Sequence, residues 1–491
     1  MVVTFASTPL LLRGLGEAGY GLQNLAGVVA GYLAVMDFGL DVPIVKFVAE
    51  DRARGARAAE ARLLSTTVQL YLLIGAVGMT AIVLASDVLA RSIFRVPAPL
   101  LGPARLVFAL AGLGFLATVF SSWGRAVANG CQRFDLSNLI TISTSIASTL
   151  IGLAAVYLGY GVVGFVASRV GGYAVAGGTY WVVVRRLSPT FRLQWGIDRD
   201  TLRRIRSFLG SGFILRVSGI LTAGLDRTLI AAWVGVQAVG VYAVPLLVVS
   251  SLGYLIAAAV GFTLPVASEL SSTGRTDEMR ATFLKTARFV GGVASFTFPV
   301  LIAFADTFLE LWVGPSVASQ AATPFRVMLL TTYFSTLSVT LANNLVVGVG
   351  RIRMFTGWWM ARAVLISVGY VVLIRPLGIL GAALALVLGS AVEALYATRA
   401  VRLLDLGAGV VVRSALLPAV ALGVALGSVA VLARTLATSW FGLVLVVSGL
   451  GAGYVIAAFR LGIFDEREKR ALAWLWKVAT RGSRGSGATG R

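Results

Sequence analysis

The sequence predicts an all-α polytopic membrane protein, and three observations predict it. Hydrophobic residues make up 58% of the 491 and charged residues 13%, a balance no soluble domain of this length needs. The apolar residues gather into about fourteen stretches, most reaching the ~20 residues that cross ~30 Å of hydrocarbon as helix. Thirty-one of the 42 lysines and arginines lie at or beside every second junction between those stretches. That sorting marks the cytoplasmic side of a multi-spanning protein of an energised membrane.

The stretches run Val2–Leu12, Tyr20–Val48, Ser65–Leu89, Leu101–Ala128, Leu136–Leu158 and Val162–Val184 in the first half. Ser207–Val234, Val239–Leu264, Ala287–Val313, Thr323–Val349, Thr356–Ile374 and Ile379–Ala400 follow, then Val410–Ala433 and Ser439–Leu461. The longest basic junction, Arg185–Arg206, holds seven arginines. With the basic junctions inside, both termini fall in the cytoplasm. Val2–Leu12 is too short to span and carries neither a basic n-region nor a small-residue cleavage site. It reads as the outer half of a first helix whose inner half is either missing or upstream of Met1, or as a short interfacial segment.

A shift of 219 residues places Gly16 on Gly235, Gly21 on Gly240, Glu50 on Glu269 and Gly55 on Gly274. Gly130 and Arg133 meet Gly348 and Arg351 at a shift of 218, and Gly161 and Gly164 meet Gly378 and Gly381 at 217. The unit holds six stretches, an even number, so the copies share one orientation. Parallel repeats of this kind place a substrate path between the halves. The expected organisation is therefore an N-lobe at 1–184 with a shortened first helix, a basic linker at 185–206 and a C-lobe at 207–402. Two further helices occupy 403–462, and 463–491 forms a surface-lying amphipathic helix and flexible tail. Thr276–Lys285 reads as a short linking helix.

The net charge of +21 lies beside spans, so its neighbour is anionic lipid rather than nucleic acid. Histidine is absent and cysteine occurs once, at Cys131. Histidine-based catalysis, histidine proton relays and thiolate clusters are thus excluded. No lysine follows a glycine, so no Walker A loop exists. The outer junctions are short where a membrane glycosyltransferase or polymerase needs a large ordered loop. The sequence therefore predicts a transporter with no enzymatic activity, driven by a gradient.

Charges inside the stretches mark the candidate site, since an arginine at mid-bilayer costs roughly 2.5–3.5 kcal/mol and needs a partner or a wet cavity. Arg216 and Arg227, eleven residues and three turns apart in one span, share a face about 16 Å apart. They are expected to bind phosphate oxygens, which guanidinium groups grip bidentately; with Asp226 adjacent, a structural arginine–aspartate pair is the alternative. Arg169 is the third substrate-binding candidate, while Arg105 and Arg326 lie near ends and can snorkel. Asp37 and Asp41, one turn apart near Lys46, Asp226, and Glu393 in the twelfth stretch are the candidates for coupling to Na+ or H+. No cofactor or metal is expected.

Several stretches resemble one family. They are Thr8-Pro-Leu-Leu-Leu-Arg-Gly-Leu-Gly-Glu-Ala-Gly-Tyr-Gly-Leu, Met36-Asp-Phe-Gly-Leu, Lys46-Phe-Val-Ala-Glu50, Asn129-Gly-Cys-Gln-Arg133, Leu225-Asp-Arg and Val239-Gly-Val-Tyr. They are similar to the oligosaccharide flippases of the polysaccharide transporter family, within the multidrug/oligosaccharidyl-lipid/polysaccharide exporter superfamily. The resemblance covers about residues 8–404. It implies about fourteen transmembrane helices, with two six-helix lobes around a basic central cavity plus two extra C-terminal helices. It also implies alternating access in a bacterial inner membrane. The implied substrate is an undecaprenyl-pyrophosphate-type oligosaccharide, moved to the outer leaflet by a monomer beside polysaccharide polymerase and glycosyltransferases. A lipid II flippase and a drug or metabolite antiporter of the same superfamily are the alternative readings.

Overall fold

The computed structural model describes residues 2–206, 217–219, 222 and 224–463. Among these residues every regular element is helical. Among the described residues nine helices are long and apolar enough to cross a membrane, ten when one bent pair is counted. The chain is a multi-pass membrane protein. Phe134–Leu187 and Ile352–Leu404 are each counted once in that tally, yet each doubles back. Gly152 packs on Phe165 and Ser168, and Gly172 on Ser148. In the same manner Gly369 packs on Ala385, and Gly389 on Ile366. Pairings whose residue numbers rise on one side as they fall on the other define antiparallel hairpins.

Two compact units divide the chain, Met1–Val248 with Trp359–Gly389, and Val249–Trp358 with Ser390–Arg491. The first contains α1 (Val2–Leu33), α2 (Asp41–Ala53), α3 (Arg57–Val88), α4 (Leu101–Gly130), α5 (Phe134–Ala155) and α6 (Gly161–Leu187). α7 (Leu225–Trp233) and the first half of α8 (Val236–Ala259) belong to it as well. The sequence separates Val2–Leu12 from Tyr20, whereas α1 carries both with a non-helical break at Gly16. The Tyr20 hydroxyl reaches the Thr8 side chain across that break.

Segment 188–204 is strapped to this unit by side chains buried beneath it. Glu60, fully buried, accepts from Arg52 Nε at 2.9 Å and Ser188 Oγ at 2.6 Å. Arg52 also donates to the Leu187 carbonyl, and Arg204 pairs with the buried Asp51 at 3.0 Å while covering the Phe47 ring. Gln69 Nε2 donates to the Gln194 carbonyl at 2.8 Å, and Gly196 N–H donates to Gln69 Oε1 at 2.9 Å. Trp123, Trp181, Phe120 and Phe191 stack below. Buried carboxylates are costly unless paired and hydrogen-bonded, and here the strap supplies part of the pairing.

The second unit holds the rest of α8, α9 (Thr263–Ser272), α10 (Thr276–Ala303), α11 (Ala305–Val313) and α12 (Pro315–Gly348). Both ends of α13 (Ile352–Val401), α14 (Ala408–Val411), α15 (Leu417–Leu432) and α16 (Trp440–Arg460) complete it. Thr276–Lys285, expected as a separate linking helix, is instead the start of α10, because neither glycine nor proline occurs from Thr276 to Val290 to end it. Tyr454 joins α16 to α10 by donating to the Gly292 carbonyl at 2.6 Å. The expected amphipathic helix after residue 463 lies outside the described residues.

The repeat is written in the backbone. Gly55 and Gly274 have φ 68° and 69°, and Ala56 and Arg275, which follow them, have φ/ψ of −80°/61° and −81°/61°. Gly161 and Gly378 share the conformation 55°/−146° and 57°/−134°, open only to glycine. Gly130 leaves no room for a side chain against Val48 and the Val45 carbonyl; Gly348 stands likewise against Ala267 and the Leu264 carbonyl. Those partners are themselves 219 residues apart. Within the first unit, Gly21 abuts the Val236 carbonyl while Gly240 abuts the Glu17 carbonyl. Residues 17 and 21 thus meet 236 and 240 reciprocally, as a local two-fold contact demands.

Candidate polar cavity of the first unit

Two adjoining cavities open among α1, α4, α5 and α6. The first, about 330 Å³, is walled by small residues of α1, among them Ala26, Gly27, Ala30 and Gly31, with Gln23, Asp37, Thr118, Ser122, Arg169 and Tyr173. The second, about 290 Å³, is lined by Thr118, Ser121, Ser122 and Arg125 of α4, Thr141, Thr144, Ser145 and Ser148 of α5, and Arg169, Gly172, Tyr173 and Ala176 of α6. Arg169 and Tyr173 face both. Arg169 Nη2 donates to the Tyr173 hydroxyl at 2.9 Å, and its guanidinium lies 5.7 Å from the ring centroid. Among the described residues neither Arg169 nor Arg125 makes an ion pair. An unpaired guanidinium in a hydroxyl-lined cavity is a donor array ready for an anion.

α5 explains the lining. Seven serines and threonines fall between Ser137 and Thr149 in a helix otherwise apolar enough to span. Inside such a helix a hydroxyl satisfies its proton on a carbonyl one turn back, as Thr144 does on Ile140 at 2.6 Å and Thr149 on Ser145 at 2.8 Å. The oxygen lone pairs stay available.

The other candidates occupy different places. Arg216 lies outside the described residues. Arg227 sits in the first turn of α7, which starts only after Gly224 leaves helical geometry. The unbroken helix that would carry it on one face with Arg216 is thus interrupted at Gly224. Asp226 is buried, accepts the Arg227 N–H at 2.7 Å and lies 3.7 Å from its Nε. Asp37 and Asp41 are not one turn apart on a helix. A short turn of 3-10 helix ends at Asp37, Phe38 is left-handed at φ 50°, and α2 starts at Asp41 after a bend of 48°. Asp37 is buried and accepts the Gly39 N–H at 2.8 Å, which closes that turn.

Glu393 is buried in the second unit and accepts from Ser335 at 2.6 Å. Arg105 pairs with Asp87, and Arg326 shares Asp306 with Arg434, the end-of-helix ion pairs that snorkelling side chains form. Of the sequence candidates, the structure gathers Arg169 and Asp37 onto one cavity and leaves Asp226, Arg227 and Glu393 elsewhere. Arg125, absent from the sequence candidates because it sits near a basic junction, is the added cation. The hydroxyl density of α5 was the signal that would have found this cavity.

Residues 10–317 match the family model described as polysaccharide biosynthesis protein. A Shigella flexneri protein named "Putative O-antigen transporter" is 21% identical over 346 residues, covering 69% of this chain and 79% of its own length. Among solved structures, the lipid II flippase MurJ in an inward closed conformation superposes with a TM-score of 0.70 at 11% identity, covering 93% of this chain and 97% of its own. An inward-facing multidrug resistance MATE family transporter of the MOP superfamily gives 0.69 at 16% identity, covering 82% and 94%. The two structural likenesses establish the fold. With a family model spanning more than half its length, the chain belongs to the polysaccharide biosynthesis protein family and is a membrane transporter of that type, not an enzyme.

Proposed function

We propose that this protein is a flippase that moves a lipid-linked oligosaccharide of the undecaprenyl-pyrophosphate type from the inner to the outer leaflet for surface polysaccharide. The carrying observation is the pair of arginines, Arg125 and Arg169, without a carboxylate partner among the described residues and set in a hydroxyl-lined cavity among otherwise apolar helices. Such a lining offers guanidinium groups to phosphate oxygens and hydroxyls to sugar, while the lipid tail stays in hydrocarbon. A cationic drug would meet like charge there, which disfavours the antiporter reading. Arg227, outside this cavity, is a separate candidate for substrate contact, its charge offset in part by the adjacent Asp226. Asp37, Asp41, Asp226 and Glu393 are the candidates for coupling transport to Na+ or H+.

Within this reading the chain forms fourteen spans, two six-helix lobes and two extra helices, with both termini in the cytoplasm of a bacterial inner membrane. It works as a monomer by alternating access and receives its substrate from glycosyltransferases. Replacing Arg125 and Arg169 with alanine in the cell of origin tests the claim. Surface polysaccharide is expected to fall at least tenfold while the protein still inserts; unchanged polysaccharide would overturn the site.

A further inference from the structure

Resting on that reading, we infer that the second cavity is the subsite for the single sugar next to the phosphate, and that it selects a neutral, hydroxyl-bearing glycosyl phosphate in lipid-linked form. Four observations carry this.

Arg125 and Arg169 both line the cavity and neither has an ion-pair partner among the described residues, so two guanidinium groups stand available for one phosphate. The hydroxyls around them divide by hydrogen bonding. Thr144 donates to the Ile140 carbonyl at 2.6 Å and Ser148 to the Ser145 carbonyl at 3.2 Å. Their protons are committed, and they present acceptor lone pairs. The side chains of Ser121, Ser122 and Ser145 have no protein partner among the described residues, so they donate as well as accept. A sugar ring, whose every hydroxyl is donor and acceptor together, matches a mixed set of this kind. A carboxylate is missing from the lining, so an ammonium on an amino sugar would be desolvated without compensation. The cavity, at about 290 Å³, is near the lower limit of ligand pockets, ~300–1,000 Å³, which suits one sugar and its phosphate rather than an oligosaccharide.

Calorimetric titration of the full chain in lipid nanodiscs tests the subsite with inorganic phosphate, glucose 1-phosphate and glucosamine 1-phosphate. Glucose 1-phosphate is expected to bind at least tenfold tighter than phosphate, and glucosamine 1-phosphate no tighter than phosphate. Thr144→Val with Ser145→Ala should remove most of the glucose advantage and leave phosphate binding within about twofold. Arg125→Ala should weaken both. A short-chain polyprenyl phosphoglucose separates lipid-linked from soluble ligand and is expected to bind tighter still. Equal binding of phosphate and glucose 1-phosphate, an unaltered preference in the hydroxyl variant, or no binding of any probe overturns the subsite. Preference for the free sugar phosphate over its lipid-linked form overturns the lipid-linked part. If the subsite fails while the arginine variants still lose surface polysaccharide, the flippase reading survives it.

Discussion

The turn after Glu50 and the turn after Glu269 have the same backbone and opposite chemistry. In both, the residue four after the glutamate donates to its carbonyl, at 3.1 Å each, and a glycine near φ 70° follows. Asp51 and Glu60 then lie buried in the first copy, bound to arginines and to the strap at 188–204. Their counterparts, at the common shift of 219, are Leu270 and Met279, packed with Leu345 and Leu404 in an apolar cluster. The equivalent carbonyls of Leu187 and Leu404 each accept from an arginine, but from non-equivalent positions, Arg52 and Arg280. Higher in the membrane the contrast recurs. Arg125 and Arg169 of the polar cavity correspond, at the local shifts of 218 and 217, to Asn343 and Leu386. Duplication preserved what the backbone needs and left side chains free to diverge, so at Asp51, Glu60, Arg125 and Arg169 the charge stands in the first copy alone.

The largest expected effect comes from giving the first copy the second copy's residue. Glu60→Met leaves Arg52 and Ser188 without their buried acceptor, a loss on the order of 3–5 kcal/mol. Thermal unfolding of the purified protein should show it as a marked drop in midpoint. The reverse change, Met279→Glu, buries a carboxylate among apolar side chains and should also destabilise. A harmless Glu60→Met would mean that the strap contributes nothing.

Gly21→Ala and Gly240→Ala sharpen the comparison from the other side. Each places a Cβ against a backbone carbonyl that occupies the equivalent position in the other copy. Both should cost at least the ~1–3 kcal/mol of overpacking, and by similar amounts. Gly55→Ala and Gly274→Ala meet open space, so only the left-handed conformation is penalised, about 1–2 kcal/mol in either copy. Unequal losses within either pair, read from the same melts, would break the equivalence of the copies.

The smallest effect is a rate. Cys131 caps α4, where burial pushes its thiol up to about 11. Below that value the thiolate fraction rises tenfold per pH unit, so maleimide labelling in inside-out vesicles should climb about tenfold from pH 7.5 to 8.5. Intact cells should show no labelling with an impermeant reagent. Labelling from outside would invert the expected topology.

Sequence patterning foretold the helical membrane fold because apolar length and basic junctions are properties of one chain read in order. The glycine repeat was equally legible, since the positive φ at Gly55, Gly274 and Gly378 favours glycine. The cavity was less so. Arg169 could be picked out as an intramembrane charge, but Arg125 lies near a basic junction, and only the packing of α4 against α5 and α6 shows where it faces. The break at Phe38 was hidden as well: nothing in an apolar run with one glycine announces that Asp37 and Asp41 fall on separate segments.

The central claim is translocation itself, and leaflet occupancy tests it most directly. In cells lacking the gene, right-side-out vesicles should carry the lipid-linked oligosaccharide out of reach of an added glycan-modifying enzyme. Wild-type protein should restore access, and Arg125→Ala with Arg169→Ala should not. Equal access with and without the protein, in cells holding no second flippase, would contradict the account.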